Sequence, residues 1–293
     1  MSDEILPSWR PGATRDAIVA FLDAAAEVPV QRRVACFDND GTLWSEKPSY
    51  VQLDFFVDAM KRAVRDDPSA AEQPEFAALI SGDQAAIGEI GLERIAHALT
   101  GLFEGISPED FTARVHEFMA KGTARTYRPM LELIDELRRR EFTVCVVTGG
   151  GTEFVRAISH DLYGVPPEDV VGSLIGYEFV PTDAGGPGLR RTNELASAAN
   201  EGAAKVNNIQ MQLGRRPIFA AGNSGGDREM LEWATGGDGP TLAVLLDHDD
   251  ADRETAYVSS AVTFADPEPI TAVGARLGWT VVSMRDDWAA VWT

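Results

Sequence analysis

Apolar residues fall along this chain in two rhythms. Ile18, Phe21, Leu22 and Ala25 recur at helical spacing, so residues 14–26 read as an amphipathic helix. Val34 to Phe37 is a short apolar run, a buried strand. Residues 50–122 change character. Val51 to Met60 begins a helix-rich stretch, with further helical pieces at 74–80, 84–103 and 108–121, punctuated by Pro68, Pro74, Gly82, Gly105 and Pro108. That stretch holds no strong strand. Alternation returns afterwards. Pro129 opens a helix whose Met130, Ile134 and Leu137 share a face, and Arg138 to Arg140 close it, basic where the helix dipole favours cations. Phe142 to Val147 is a buried strand, Thr148 to Gly151 a turn, and Thr152 to Tyr163 a helix with Gly164 as its cap.

Residues 170–180 look extended, and 183–188 read as a loop or hairpin tip. A helix is expected at 194–213, a strand at 217–221, a helix at 227–234, and strands at 241–246 and 280–284. Strands alternating with helices predict an α/β fold: a parallel sheet covered on both faces. The helix-rich stretch predicts a second unit. There is no internal repeat.

Composition narrows the partners. The chain has 293 residues, enough for one large domain or a core with a smaller companion. Against 26 Lys and Arg stand 46 Asp and Glu, a net charge of −20. Such a surface repels nucleic acid and anionic membrane. It also repels a phosphate ester at long range, so a phosphate site needs local positive charge. No stretch is apolar enough to span a bilayer, and the first residues lack a basic and apolar leader. A cytoplasmic protein is the expectation. Cys36 and Cys145 lie in apolar runs and read as reduced core residues.

The chemistry begins at the end of the first strand. Asp38 and Asp40 are spaced i, i+2, so on a strand they share a side. Open α/β sheets bind ligands at the C-terminal ends of their strands. Two carboxylates that close need a cation, a shared proton, or both. The alternative is an acidic turn, since Asn39, Asp40 and Gly41 suit turns. Three more pieces follow predicted strands or lie nearby. Thr148, Gly149 and Gly150 offer a hydroxyl and backbone N–H groups leading into a helix, an anion cradle or a plain Gly-rich turn. Lys205 sits among Ala203, Ala204, Val206 and Ile209, so its stem can pack with the ammonium turned inward. Asn223 and Asp227 place an amide oxygen and a carboxylate on a Gly-rich turn, oxygen ligands that suit Mg²⁺.

In this order the pieces resemble the four motifs of the haloacid dehalogenase superfamily, in its aspartate-dependent phosphatase branch. Asp38 to Thr42 stands as the first motif, Thr148 as the second, Lys205 as the third and Gly222 to Asp227 as the fourth. The first and fourth phrases look most like phosphoserine-phosphatase-like proteins and non-specific acid phosphatases. The resemblance implies a Rossmann-like three-layer α/β/α core at 1–47 and 124–293, with a helical cap inserted at 48–123. It implies Asp38 as nucleophile and Asp40 as proton donor, then base. Thr148, Gly149, Thr42 and Lys205 would bind the phosphoryl group. Mg²⁺ would be held by Asp38, Asp40, Asn223 and Asp227. Many relatives carry an aspartate where this chain has Asn223, which puts metal affinity in doubt or shifts direct ligation to Asp227.

The expected activity is therefore a Mg²⁺-dependent phosphatase for small phosphorylated metabolites. A phosphotransferase or mutase is the enzymatic alternative, and an inactive binding module the non-enzymatic one. The second aspartate, Asp40, favours phosphoester chemistry over halide displacement. Trp44, Glu46 and Tyr50 either meet the leaving group or pack a hinge. His97, His116, His160 and His248 read as structural or surface residues, and the acidic run from Asp247 to Asp252 as a solvated loop.

Overall fold

The structure, a computed structural model, describes residues 5–122, 124–181, 185–197 and 199–293. Eight strands are present among them: β1 (Val34–Phe37), β2 (Thr143–Gly151), β3 (Val170–Ser173), β4 (Ile175–Pro181), β5 (Pro187–Leu195), β6 (Phe219–Gly222), β7 (Leu242–Asp247) and β8 (Thr280–Ser283). Six form one sheet in the order β3-β2-β1-β6-β7-β8, and every pairing in it is parallel. β4 and β5 form a separate antiparallel pair.

The chain steps outward from β1 to β2 and β3, then returns to the other side of β1 as β6. Neighbouring strands that lead away in opposite directions leave a crevice at their C-terminal ends, where such sheets hold ligands. β1, β2 and β6 are the three strands that meet there.

Alternation along β1 divides its side chains between two layers. Val34 and Cys36 face one core with Cys145, Val147, Ile209, Met230 and Leu231. Helices Ala203–Leu213, Arg228–Thr235 and Ile270–Leu277 supply its other wall. Phe37 packs on Phe219, which also meets Phe21 from helix Ala13–Ala24. Helix Arg128–Arg139 forms as its pattern predicts. Pro129 stands in its first turn, and Met130, Leu133, Ile134 and Leu137 are buried on one face. Cys36 and Cys145 are in register on adjacent strands, buried and unbridged.

The chain forms two compact units: Met1–Lys47, Ala124–Ser173 and Ala198–Thr293 make one, Pro48–Thr123 and Leu174–Ser197 the other. The larger holds the six-stranded sheet. The smaller contains helices Val51–Asp66, Pro74–Ser81, Gln84–Ile90, Leu92–Gly101 and Pro108–Met119. Its centre is aromatic, with Phe55 stacked on Phe103 at 5.0 Å and edge-on to Phe111 and Phe118.

Three sequence expectations differ from this arrangement. Residues 174–197, read as part of the larger unit, belong to the smaller one. The cause is a buried arginine. Arg191 on β5 lies 4.5 Å over the Phe111 ring and donates to the Phe103 carbonyl at 3.0 Å. The helix expected over 194–213 begins only at Ala203, because β5 runs to Leu195 and Gly202 turns the backbone with φ 58°. The stretch 84–103 breaks at Gly91, φ 87°. Of the tip expected at 183–188, Asp183 and Ala184 lie outside the described residues.

Candidate active site

β1 delivers Asp38 directly into the crevice. Its N–H still pairs with the Ala221 carbonyl of β6 at 2.9 Å, so the ladder continues one residue past Phe37. The chain then folds back on itself. Asn39 O accepts from Thr42 N at 3.2 Å and Leu43 N at 2.8 Å, and Gly41 N donates to Trp44 O at 2.9 Å. Gly41 has φ 79°, a left-handed conformation that glycine adopts without strain. Within this loop, Trp44 Nε1 donates to Asp40 Oδ1 at 2.9 Å. Tyr163 OH holds Asn39 Oδ1 at 2.9 Å.

Lys205 closes the arrangement from below. It is 2% exposed, on the first turn of helix Ala203–Leu213. Its Nζ donates to Asp38 Oδ1 at 2.6 Å, to Asp227 Oδ1 at 2.6 Å and to the Val147 carbonyl at 3.0 Å. Three donors on an ammonium meet three acceptors, from the residue after β1, from β2 and from the turn after β6. The inward-turned lysine of the sequence reading is therefore realised.

β6 ends at Gly222, where a side chain would collide with Asp227: a Cβ there would lie 2.5 Å from the Asp227 Cβ. Asp227 Oδ2 accepts from Asn223 N and Ser224 N, both at 3.0 Å. Ser224 in turn caps the following turn through Gly226 N at 3.2 Å. Both carboxylate oxygens of Asp227 are thus engaged. Asn223 is buried, and its Nδ2 donates to Ser259 Oγ at 3.2 Å and Glu46 Oε1 at 3.4 Å. Its Oδ1 meets only the Thr42 hydroxyl, at 3.5 Å, among the hydrogen bonds of the described residues. That same hydroxyl lies 3.1 Å from Asp38 Oδ2.

Thr148 is fully buried at the end of β2, and its Oγ1 accepts from Gly150 N at 3.0 Å. Gly149 follows it, its carbonyl accepting from Ser173 Oγ at 2.9 Å. The geometry brings Asp38, Asp40, Thr42, Thr148, Lys205, Asn223 and Asp227 to one end of the sheet. Trp44 and Glu46 lie with them, whereas Tyr50 belongs to the other compact unit.

The electrostatics follow from this crowding. Burial pushes the Asp38 carboxyl well above its usual range, and the Asp227 charge adds to it; Lys205 opposes both. Burial also raises Asp40, against the Trp44 and Asn39 hydrogen bonds. For Lys205, burial disfavours the ammonium, but the Asp227 and Asp38 carboxylates outweigh it and hold the group above its ordinary value.

Sequence reasoning missed several supports. Asn200 is fully buried, and its Nδ2 donates to the Thr148 carbonyl at 2.9 Å. It opens the same phrase that holds Lys205, the one signal available. The run from Asp247 to Asp252 is not a solvated loop throughout. His248 and Asp250 are each 2% exposed. Asp250 Oδ1 caps Asp252 N and Arg253 N, and Asp250 also pairs with the Arg253 side chain. His97 and His160 are at the surface, as expected.

Residues 35–232, more than half of the chain, match the family described as haloacid dehalogenase-like hydrolase. The chain belongs to that family. No curated protein matches it. Among solved structures, it is similar to a protein of unknown function from Bordetella pertussis Tohama I at a TM-score of 0.53 and 20% identity, covering 86% of this chain and 98% of that one. A functionally unknown protein from Anaerococcus prevotii DSM 20548 aligns at 0.55 and 15%, covering 80% and 85%. These likenesses show the fold. An apo phosphoserine phosphatase aligns more loosely, at 0.38 and 18% over 73% of this chain and 86% of that one.

Proposed function

We propose that this hydrolase is a Mg²⁺-dependent phosphomonoesterase for small phosphorylated molecules, working through an aspartyl-phosphate on Asp38. The observation that carries the reading is Lys205 Nζ, buried at 2.6 Å from both Asp38 and Asp227. A lysine held this way fixes one oxygen of Asp38 and supplies positive charge where the net charge of the chain would repel a phosphate.

The donor set fits Mg²⁺. One lysine faces two carboxylates, so a net negative charge remains beside it. Asp38 Oδ2 and Asn223 Oδ1 both approach the Thr42 hydroxyl, and the Asn223 oxygen has only that long contact. Oxygen donors of this kind suit a hard cation that keeps several waters. Among the described residues no group of three or more His, Cys, Asp or Glu side chains makes a metal site. An amide oxygen would complete the set. Asp38, the Asp40 backbone carbonyl and Asn223 would hold the ion, with Asp227 orienting them through its bonds to Lys205 Nζ and to the Asn223 and Ser224 N–H groups. When bound, the cation supplies positive charge to the phosphoryl oxygens.

The Asp38 carboxylate attacks phosphorus, and the bond from phosphorus to the leaving oxygen breaks. Asp40, raised by burial, gives its proton to that oxygen. The resulting Asp40 carboxylate then takes a proton from water as the water oxygen attacks phosphorus. Inorganic phosphate leaves and Asp38 is restored. Lys205 and Thr148 stabilise charge on the transferring group, which is where phosphoryl transfer gains most.

The test is phosphate release from 4-nitrophenyl phosphate, with Mg²⁺ and with EDTA. Wild-type protein should release phosphate only with Mg²⁺, and Asp38→Asn should release none. Wild-type rates in Asp38→Asn would remove the nucleophile assignment. Nitrophenol release that depends on an added alcohol acceptor, without inorganic phosphate, would make the protein a phosphotransferase.

A further inference from the structure

His248 follows β7, and its ring lies 0% exposed between two acceptors. Nε2 is 2.9 Å from the Gly41 carbonyl, and Nδ1 is 3.4 Å from Glu254 Oε2. A carbonyl oxygen only accepts. The Glu254 oxygens accept too. Oε1 takes Tyr127 OH at 2.9 Å and Ser45 Oγ at 3.2 Å, and Oε2 takes Thr255 N at 2.7 Å. Burial pushes the Glu254 carboxyl up, but the His248 and Tyr127 hydrogen bonds prevail and hold it below its ordinary range, as the carboxylate. The Gly41 carbonyl therefore takes the proton of Nε2. The His248 ring also stacks on Tyr257 at 4.4 Å and lies 6.0 Å from Tyr127.

Gly41 is the residue next to Asp40, in the tight loop that carries the proton donor. We propose that His248 is a positioning residue: with Glu254 behind it, it anchors the Gly41 carbonyl and so sets the place of Asp40. The proposal rests on the phosphatase reading for its consequence in turnover, and on hydrogen-bond geometry for the anchor itself. Backbone contacts within the loop fix its shape, and the Leu43 carbonyl accepts from Tyr127 N at 2.9 Å, but none of the backbone bonds among the described residues holds the Gly41 carbonyl. The tie to His248 spans 207 residues and fastens the loop to the end of β7. Glu254 extends it through Ser45 to the far side of the loop and through Tyr127 to the start of helix Arg128–Arg139. A loop released from this tie keeps its turn and loses its aim. Displacement of a proton donor by ~1 Å costs on the order of 100-fold in rate.

The experiment compares wild type, Asp38→Asn, His248→Ala, His248→Gln and Glu254→Gln on 4-nitrophenyl phosphate with saturating Mg²⁺. It is joined to ring-nitrogen NMR of histidine-labelled protein at neutral pH. The expected result is active wild type and a His248→Ala whose kcat falls about 10- to 100-fold. Its KM should stay within about threefold, since binding groups are untouched. His248→Gln, which keeps an N–H for the Gly41 carbonyl, should recover part of kcat. The His248 ring should carry a proton on Nε2, facing the Gly41 carbonyl, and Glu254→Gln, which leaves that bond in place, should lose less kcat than His248→Ala. Wild-type kcat in His248→Ala overturns the proposal. So does a folded protein in which Ala and Gln lose kcat equally, or a bare Nε2 in the wild-type spectrum. Inactive wild type with a protonated Nε2 would sink the phosphatase reading and leave the anchor standing.

Discussion

Gly41 and Asn223 approach each other so closely that no side chain fits between them. A Cβ on Gly41 would stand 2.0 Å from Asn223 Nδ2 and 2.8 Å from its Cγ. The loop of the first motif and the turn of the fourth are therefore packed as one surface, although 182 positions separate them in sequence. Gly41→Ala must move one or the other, and it also strains a backbone at φ 79°. Overpacking of this kind costs about 1–3 kcal/mol. The rate should suffer more than the fold, by about 100-fold, because the displaced atoms are Asp40 and Asn223. Thermal unfolding beside steady-state kinetics separates the two; a full rate with a lowered Tm would show that the loop tolerates the shift.

Lys205 pairs with two buried carboxylates, so its removal leaves Asp38 and Asp227 facing one another. Breaking a buried pair from one side costs about 3–5 kcal/mol. Lys205→Met should lose that stability without metal as well as nearly all turnover. Adding Asp227→Asn to it removes one of the two charges and should restore part of the stability, though none of the activity. Denaturant melts of the single and double variants read this directly. Equal stability of Lys205→Met and wild type would mean the carboxylates already share a proton.

Much of this site is legible in sequence because it is local. The Asp38-to-Trp44 loop, the Ser224 cap and the Asp227 carboxylate each work through neighbours within a few residues. Lys205 is legible for another reason: its apolar neighbours force the stem into the core. His248 is hidden by the opposite circumstance. Acidic residues surround it in sequence, and its key partner is a backbone carbonyl on the first loop, which no side-chain pattern records. Arg191 is hidden likewise. Its partners are the Phe103 carbonyl and the Phe111 ring, distant along the chain, so a polar-looking hairpin joined the wrong unit. β5, which ends at Leu195, also runs into an alanine-rich stretch that favours helix by propensity.

Asp40 and Asp38 must be in opposite protonation states for the first step, and the pH profile should show it. The rate rises with pH as Asp38 loses its proton and falls as Asp40 loses its own. Burial raises both groups, so both limbs should lie above the range of ordinary carboxylates. Mg²⁺ favours ionised Asp38, and increasing it should move the acid limb to lower pH while the alkaline limb stays. In Asp40→Asn the alkaline limb should vanish. An unchanged alkaline limb in that variant would assign it to another group.

The same variant should discriminate between leaving groups. A nitrophenolate departs readily without a proton, whereas an alkoxide does not. General acid catalysis contributes about 10²- to 10⁴-fold. Asp40→Asn should therefore lose far more on an alkyl phosphate than on 4-nitrophenyl phosphate. Equal losses on the two substrates would mean that Asp40 acts on water alone, in the second step.

Asn223 offers the last test, because it separates charge from geometry at the proposed metal site. Its Oδ1 has one long contact, to Thr42, while its Nδ2 is held by Ser259 and Glu46. Asn223→Ala removes the oxygen and should weaken Mg²⁺ binding by about tenfold or more, comparable to losing about 1.4 kcal/mol. Asn223→Asp keeps an oxygen in the same place and adds a charge, which should tighten Mg²⁺. It also sets a carboxylate beside Glu46, whose own carboxyl burial already raises. The metal-free variant should therefore be less stable than wild type, and the Mg²⁺-bound variant should regain the difference. Calorimetric titration gives the affinities, and thermal unfolding with and without Mg²⁺ gives the crossing. If Asn223→Ala binds Mg²⁺ as wild type does, the amide oxygen is not a ligand and Asp227 must take its place.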